Sequence, residues 1–251
     1  AQSWVYTDEQ LKQIEALRRQ ISDVENRWRQ SRPQWKEEAK RWADQQQAAQ
    51  IRWEPIVATE LGSISGLNHP TQEADKSLLM KGHTSNDVFL IASPTLQGVT
   101  GLRLEALPHR DLPQQGPGRS RQGTWAMQEL EVFLKKPDGK DWEKQKLVNA
   151  TADFSQADQK QPDGKNARGP VAYLIDGKED SFWVADRGPG RRNEPSVAVV
   201  QFEKPLDVPA GTQIKVAWRM SDMLGCARFS LTTAPQPATR SRTRRCSCAP
   251  S

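Results

Sequence analysis

The chain has 251 residues, a net charge of +5 and a mean hydropathy of −0.79, so it suits one or two domains and is too polar to be buried throughout. No apolar run is long enough to span a membrane, so we expect no membrane span. The opening residues lack the basic-then-apolar pattern of an export signal, and we expect a mature or trimmed form.

Most of the net positive charge lies near the C-terminus. Residues 234–251 hold four arginines and no acid, in a stretch rich in Pro, Ser and Thr that predicts a disordered basic tail. The rest of the chain is nearly neutral. We therefore expect no nucleic-acid partner, because such a partner needs a basic patch on a folded face.

The cysteines are Cys226, Cys246 and Cys248. An odd number, with two of them in a C-x-C tail, gives no disulfide framework, and two neighbouring cysteines cannot form a structural zinc site. The haem-attachment pattern CxxCH does not occur in the sequence. We expect no haem in this chain.

Residues 1–52 predict a helical arm. Thr7 followed by Gln10 is a capping-box start. Leu17 and Val24 add a second position to a heptad seam, the pattern of a coiled coil. The first seam position is occupied at intervals of seven by Ile14, Ile21, Trp28, Trp35, Trp42 and Ala49. Pro33 interrupts the arm without changing the heptad phase, which favours a kinked rod over a hairpin.

Residues 53–233 predict a β-sandwich. Alternation such as Ile214, Val216 and Trp218 against Lys215 and Arg219 is typical of half-buried strands. Ten such segments lie near residues 54–60, 77–81, 86–92, 99–107, 124–134, 146–154, 171–175, 196–203, 212–220 and 226–233. No amphipathic helices separate them, so we predict a mainly β, antiparallel jelly-roll sandwich.

The stretch Ala172–Trp183 resembles the first loop of discoidin-like (galactose-binding-like) β-sandwiches. Its Asp176-Gly177 pair is followed by Asp180, Ser181 and Trp183. The resemblance implies a binding module for glycans or lipid head groups, without catalysis. It also implies Ca²⁺ held by Asp176, Asp180, Ser181 and Glu129, since calcium prefers several oxygen ligands. Alternatively, Asp176 caps its own turn and Glu129 is a solvated strand residue.

Longer phrases resemble one family more closely. They are RWEPI at 52–56, the stretch 100–133 with its GPGR, DFSQ at 153–156, AYLIDGKEDSFWVAD at 172–186 and ARFSLTT at 227–233. Together they resemble the insert module of large exported planctomycete proteins that carry a cytochrome c-like domain. The resemblance implies an exported, periplasmic or cell-envelope location, neighbouring domains as partners, and a role near polysaccharide degradation.

Two loops carry the phrase GPGR, at Gly116–Arg119 and Gly188–Arg191. If both lie at one end of the sandwich, Arg119, Arg191 and Arg192 could clamp an acidic or sulfated polysaccharide. The alternative is two turns with solvated arginines, because Pro and Gly suit turns by themselves.

Trp142 and Trp125 are further candidates for stacking on a sugar. The three histidines show no catalytic or metal-binding spacing, so we expect no enzyme. The sequence therefore predicts a non-catalytic carbohydrate-binding module of a larger exported protein. The alternative is a structural module that docks neighbouring domains or a second protomer without binding glycans.

Overall fold

The computed structural model describes residues 6–48, 50–64, 66–83, 87–159 and 167–238. The chain folds as two compact units, Ala1–Gln50 and Ile51–Ser251. The first is helical and the second consists mainly of β-strands. A mainly β chain with an N-terminal helical arm is therefore confirmed. In the described ranges, no helix is long and apolar enough to cross a membrane.

The helical unit contains two helices, α1 (Asp8–Ser31) and α2 (Trp35–Ala48). The capping box at Thr7 is present: its hydroxyl accepts from the Gln10 N–H, and the Gln10 amide oxygen accepts from the Thr7 N–H. Residues 32–34, which include Pro33, separate the helices because proline cannot supply the amide that an interior turn needs. Trp28 and Trp35 face each other across this break, with ring centroids 6.3 Å apart.

The second unit contains fourteen strands in its described residues. In chain order they are β1 Glu54–Pro55, β2 Glu60–Ser63, β3 Thr71–Gln72, β4 Leu78–Leu79, β5 Asp87–Ala92, β6 Leu96–Ala106, β7 Ala126–Lys135, β8 Glu143–Gln145, β9 Leu147–Ala152, β10 Ala167–Gly169, β11 Ser181–Val184, β12 Ser196–Val208, β13 Gln213–Asp222 and β14 Cys226–Thr232.

These strands form two sheets. Sheet A has the order β3-β4-β14-β6-β12-β9, with β1 also paired to β14. Sheet B has the order β10-β11-β7-β13-β5-β2, with β8 also paired to β7. From β4 to β7, each next strand belongs to the other sheet, and the same holds from β11 to β14. The chain thus crosses repeatedly between the two layers.

A hydrophobic core fills the space between the sheets. It draws on every second residue of the long strands, so that β13 contributes Ile214, Val216 and Trp218 while the residues between them face outward. Trp218 of sheet B contacts Phe229 of sheet A, with ring centroids 4.8 Å apart. This contact joins the two layers, and the core confirms the sandwich.

Several local predictions differ from the structure. Residues 56–59, inside the strand predicted near 54–60, lie between strands β1 and β2. Residues 171–175 form a 3-10 helix, Val171–Ile175, instead of a strand. A short apolar run does not distinguish a strand from a helical turn, and Pro170 fixes the entry to the helix. Strands β10 and β11 pair in parallel, whereas the other paired strands of the described residues are antiparallel.

The predicted tail is ordered at its beginning. The hydroxyl of Thr100 donates to the Ala234 carbonyl at 2.5 Å, and the Gln201 side-chain amide donates to the Pro237 carbonyl at 3.0 Å. Residues 234–238 are therefore fixed to the sandwich. The rest of the predicted tail, 239–251, with Cys246 and Cys248, lies outside the described residues.

Candidate functional site

The aspartate-glycine turn follows the 3-10 helix Val171–Ile175. The Asp176 carboxylate accepts from the Lys178 N–H at 3.0 Å and from the Ser181 hydroxyl at 2.9 Å. These bonds close the turn through its own residues, which is the alternative role predicted for Asp176. Asp180 is exposed, and its carbonyl accepts from the Ala167 N–H.

Glu129, on β7, is held against the same turn. Its side chain is only 4% exposed, and its carboxylate accepts from the Gly177 N–H at 3.1 Å. Burial raises the pKa of Glu129 to about 7, although the Gly177 hydrogen bond and the charge of Lys144 act in the opposite direction. The structure thus brings Glu129 to the turn that Asp176 and Ser181 form.

A depression of about 390 Å³ lies beside this turn, lined by Glu129, Asp176, Lys144 and Lys146 among others. The positive charges of Lys144 and Lys146 at its wall disfavour the binding of a cation there. Among the described residues, no group of three or more His, Cys, Asp or Glu side chains is arranged to hold a metal ion. Calcium at this turn stays a prediction.

The two GPGR loops do lie together. A Cβ on Gly116 would approach the Arg192 carbonyl oxygen at 3.2 Å. Both loops contribute to one polar depression of about 380 Å³, lined by Gln114, Arg121, Gln122, Pro189, Gly190, Arg192 and Asn193. Of the three predicted arginines, this depression contains Arg192.

The predicted arginines are engaged within the protein. Arg119 donates to the Gly82 carbonyl at 2.7 Å and lines a different depression. Arg191 makes a two-pronged ion pair with Glu194, and Arg192 pairs with Asp186 at 2.9 Å. The arginine clamp is therefore not assembled, because Arg119 and Arg192 line different depressions.

The two predicted tryptophans have different environments. Trp125 is 4% exposed and packs edge-on against Trp183, with ring centroids 4.8 Å apart. A ring in the core offers no face to a sugar, so Trp125 is corrected from a ligand contact to a core residue. Trp142 is half-buried and lines a groove on the outer face of sheet B.

This groove, called the sheet-B groove below, has a volume of about 590 Å³. Its outward-facing lining residues come from the four adjacent strands β2, β5, β13 and β7 and from two positions beside them. They are Glu60, Ile64, Asp87, Phe89, Ile91, Glu131, Trp142, Lys215, Ala217 and Arg219. The groove therefore combines an indole, a phenyl ring and an aliphatic side chain with charged groups of both signs.

The antiparallel register explains how these residues meet. Ala217 lies opposite both Phe89 on β5 and Glu131 on β7. Because the Ala217 side chain is small, it projects little from the sheet and leaves the middle of the groove open. On the next strand Gly62 lies opposite Phe89, and a Cβ there would be 2.9 Å from the Phe89 ring. A glycine at this point leaves room for the ring to lie flat over the sheet.

Trp142 is positioned by its neighbours in the sheet. It immediately precedes β8, which pairs with the end of β7. The Lys215 ammonium lies 4.7 Å from the centroid of the Trp142 ring and 4.5 Å from that of Phe133. Such cation–π contacts fix an aromatic ring while leaving a charged donor next to it.

Hydrogen bonds and ion pairs hold the polar groups of the groove. Glu131 accepts from Lys144 at 2.6 Å, and Arg219 contacts Glu179 at 3.5 Å. Sequence reasoning identified Trp142 but missed the other groove residues. The sequence does indicate part of the groove: Lys215, Ala217 and Arg219 alternate with the buried residues of β13 and therefore face outward. The small Ala217 between two long side chains marks a depression on that face.

Comparison with known proteins adds no relative: no family model, curated protein or solved structure matches the chain.

Proposed function

We propose that this protein is a non-catalytic carbohydrate-binding module and that the sheet-B groove holds the glycan. The observation that carries the proposal is the meeting of Trp142, Phe89 and Ile64 with Glu60, Glu131 and other charged groups in one open groove. Ile64 is 81% exposed. Binding sites for small molecules are concave, mostly apolar, and contain a few placed polar groups, as this groove does.

The chemistry of a sugar suits this arrangement. A pyranose has C–H faces that pack on aromatic rings, and hydroxyl groups that donate to carboxylates and accept from ammonium or guanidinium groups. Trp142 would supply the ring, while Glu131 and Lys215 would supply an acceptor and a donor beside it. The carbohydrate thus uses both kinds of surface in the groove.

The charges of the groove favour a neutral glycan. Three carboxylates, of Glu60, Asp87 and Glu131, are balanced by Lys215, Arg219 and the Lys144 that pairs with Glu131. Since opposite charges cancel within the groove, it offers an acidic polysaccharide no net attraction. This differs from the acidic ligand predicted from the GPGR loops, whose arginines are already paired.

We propose no reaction for the groove. Glu131 is held by Lys144, and this suits an acceptor for a ligand hydroxyl more than a group that exchanges protons during hydrolysis. The exported or envelope location and the larger parent protein are proposals that rest on the sequence resemblance alone.

The finer fold assignment is also a proposal. The eight main strands are numbered one to eight in chain order; they are β4, β5, β6, β7, β11, β12, β13 and β14. Sheet A then has the order 1-8-3-6, and sheet B has the order 2-7-4-5. This order supports a jelly roll, in which two four-stranded sheets are built from eight strands. We propose the discoidin-like type from the resemblance of the aspartate-glycine loop.

The test is binding of the full chain to a panel of neutral and acidic polysaccharides, followed by calorimetry with the best one. Trp142→Ala should weaken binding by about tenfold or more, equivalent to about 1.4 kcal/mol, because the stacking ring is lost. Trp142→Phe should retain part of the affinity. Trp42→Ala is the matched control, since Trp42 is exposed on α2, outside the groove.

Two results would contradict the proposal. One is the absence of binding to any polysaccharide in the panel, and the other is binding that Trp142→Ala leaves unchanged. Repeating the titration with Ca²⁺ and with a chelator separates the groove from the aspartate-glycine turn. Equal affinity in both buffers is expected if the groove alone binds the glycan.

A further inference from the structure

Helix α1 presents an apolar stripe to solvent. None of its residues is buried, and Leu17, Ile21, Val24 and Trp28 are each at least half exposed. The stripe follows heptad spacing, which is the spacing of a two-helix seam. We propose that α1 pairs with α1 of a second copy of this chain, in antiparallel orientation, with Ile21 of one copy opposite Val24 of the other.

This register fills the seam with apolar side chains. An antiparallel pair aligns the first seam position of one helix with the second seam position of the other. With Ile21 opposite Val24, Leu17 lies opposite Trp28, and symmetry repeats both contacts. The four central layers then bury every residue of the apolar stripe, and the largest side chain, Trp28, meets an aliphatic partner.

The charges beside the seam select the same register. Arg18 and Glu25 occupy equivalent heptad positions at the edge of the stripe. In the proposed register, Arg18 of each copy lies beside Glu25 of the other, so two opposite-charge contacts form across the interface. Opposite charges at these positions set partner and orientation in helix pairs.

Other arrangements lose these opposite-charge contacts. A slip of one heptad in one direction places Arg18 beside Arg18, and a slip in the other direction places Glu25 beside Glu25. A parallel pair places Arg18 beside Gln13 and Glu25 beside Gln20 of the second copy, so neither charge gains an opposite one. Complementarity of charge therefore points to the antiparallel pair centred between Ile21 and Val24.

Glu25 can contact Arg18 of a second copy with little loss of stability in its own helix. It pairs with Arg29 in the same helix at 3.3 Å, and both side chains are about half exposed. An exposed pair of this kind contributes little to stability. Its carboxylate has two oxygens, so it can accept from Arg29 and from Arg18 of the second copy.

The experiment measures the mass of the full chain by light scattering and sedimentation equilibrium over a concentration series. We expect a reversible dimer. Arg18→Glu and Glu25→Arg should each raise the dimer dissociation constant by about tenfold, because each replaces two attractions by two repulsions. The double variant R18E/E25R should restore most of the affinity, and salt should reduce these differences.

Two controls complete the test. Arg19→Glu changes the same charge on the side of α1 away from the stripe and should leave the dissociation constant unchanged, while Ile21→Lys should abolish the dimer. Circular dichroism verifies that each variant keeps its helices. A monomer at all concentrations, an assembly larger than two, or a dimer that R18E/E25R does not restore would overturn the proposal.

Discussion

Glu129 shows how one buried carboxyl connects a strand to a loop. Its carboxylate is nearly enclosed, yet it faces a single backbone donor, the N–H of Gly177. A carboxylate with one hydrogen bond in a low-dielectric site is stabilised less than it is in water, which explains a pKa of about 7. The proton on Glu129 is therefore part of the stability of this region.

We expect the folded protein to lose stability as the pH rises from about 4.5 to about 7. The pKa of Glu129 is raised in the folded state, so the stabilisation is complete below the ordinary pKa of 4.5 and is lost as Glu129 ionises. Relative to wild type, Glu129→Gln should become more stable by about 1–3 kcal/mol across this interval, because glutamine accepts from Gly177 without a charge.

The measurement is the free energy of unfolding by denaturant at several pH values, in chelator. Glu131→Gln is the control, since Glu131 is on the same strand and pairs with Lys144 near the surface. A difference between wild type and Glu129→Gln that does not vary with pH would contradict the prediction. Ca²⁺ bound at the turn would reverse the trend, because a cation favours the ionised carboxyl.

At the scale of elements, one long loop is closely packed against itself. The loop that joins β6 to β7 folds back on itself, and the Gly118 N–H donates to the Gly123 carbonyl at 3.0 Å. A Cβ at Gly118 would lie well inside contact distance of the Thr124 carbonyl oxygen. Backbone is hard to displace, so this position tolerates glycine alone.

We therefore expect Gly118→Ala to destabilise the sandwich by about 2–4 kcal/mol, because the loop must move to admit a methyl group. Gly190→Ala, in the other GPGR loop, should cost about 1 kcal/mol, since Gly190 has a φ of 81° but open space around it. Thermal and denaturant unfolding of both variants would check the order, and equal losses would contradict the packing argument.

Alternation in the sequence predicted the long strands well, since residues 212–220 and 226–233 correspond closely to β13 and β14. It failed where an element is too short to show a period. Strand β10 has three residues, and its parallel pairing with β11 depends on a partner that local sequence does not specify. The contact between Glu129 and the Asp176 turn was predictable from a resemblance, whereas the sheet-B groove required the register of four strands.

At the scale of the whole molecule, the sandwich includes the first residues after β14. Pro237 packs over Gly101 on β6, and the carbonyls of Ala234 and Pro237 accept from side chains of both β6 and β12. These contacts lie on the sheet that contains β14. The sandwich thus includes residues past the last strand, at least to Pro237.

A chain that ends at Ala238 keeps all of these contacts and is the reference for the comparison. A chain that ends at Thr233 should lose about 1–2 kcal/mol, since two hydrogen-bond acceptors and the Pro237 contact are removed. Unfolding of the two shortened chains in denaturant is the measurement. Equal stability of the two shortened chains would show that residues 234–238 contribute nothing to the sandwich.

The alternation along β13 has a consequence for how this protein can change over evolution. Ile214, Val216 and Trp218 hold the two layers together, while Lys215, Ala217 and Arg219 face the groove. If the groove holds a glycan as proposed, recognition and folding depend on opposite faces of one strand. Mutations on the outer side can alter what the groove accepts while the inner side keeps the sandwich intact, so new specificities can arise without loss of the scaffold.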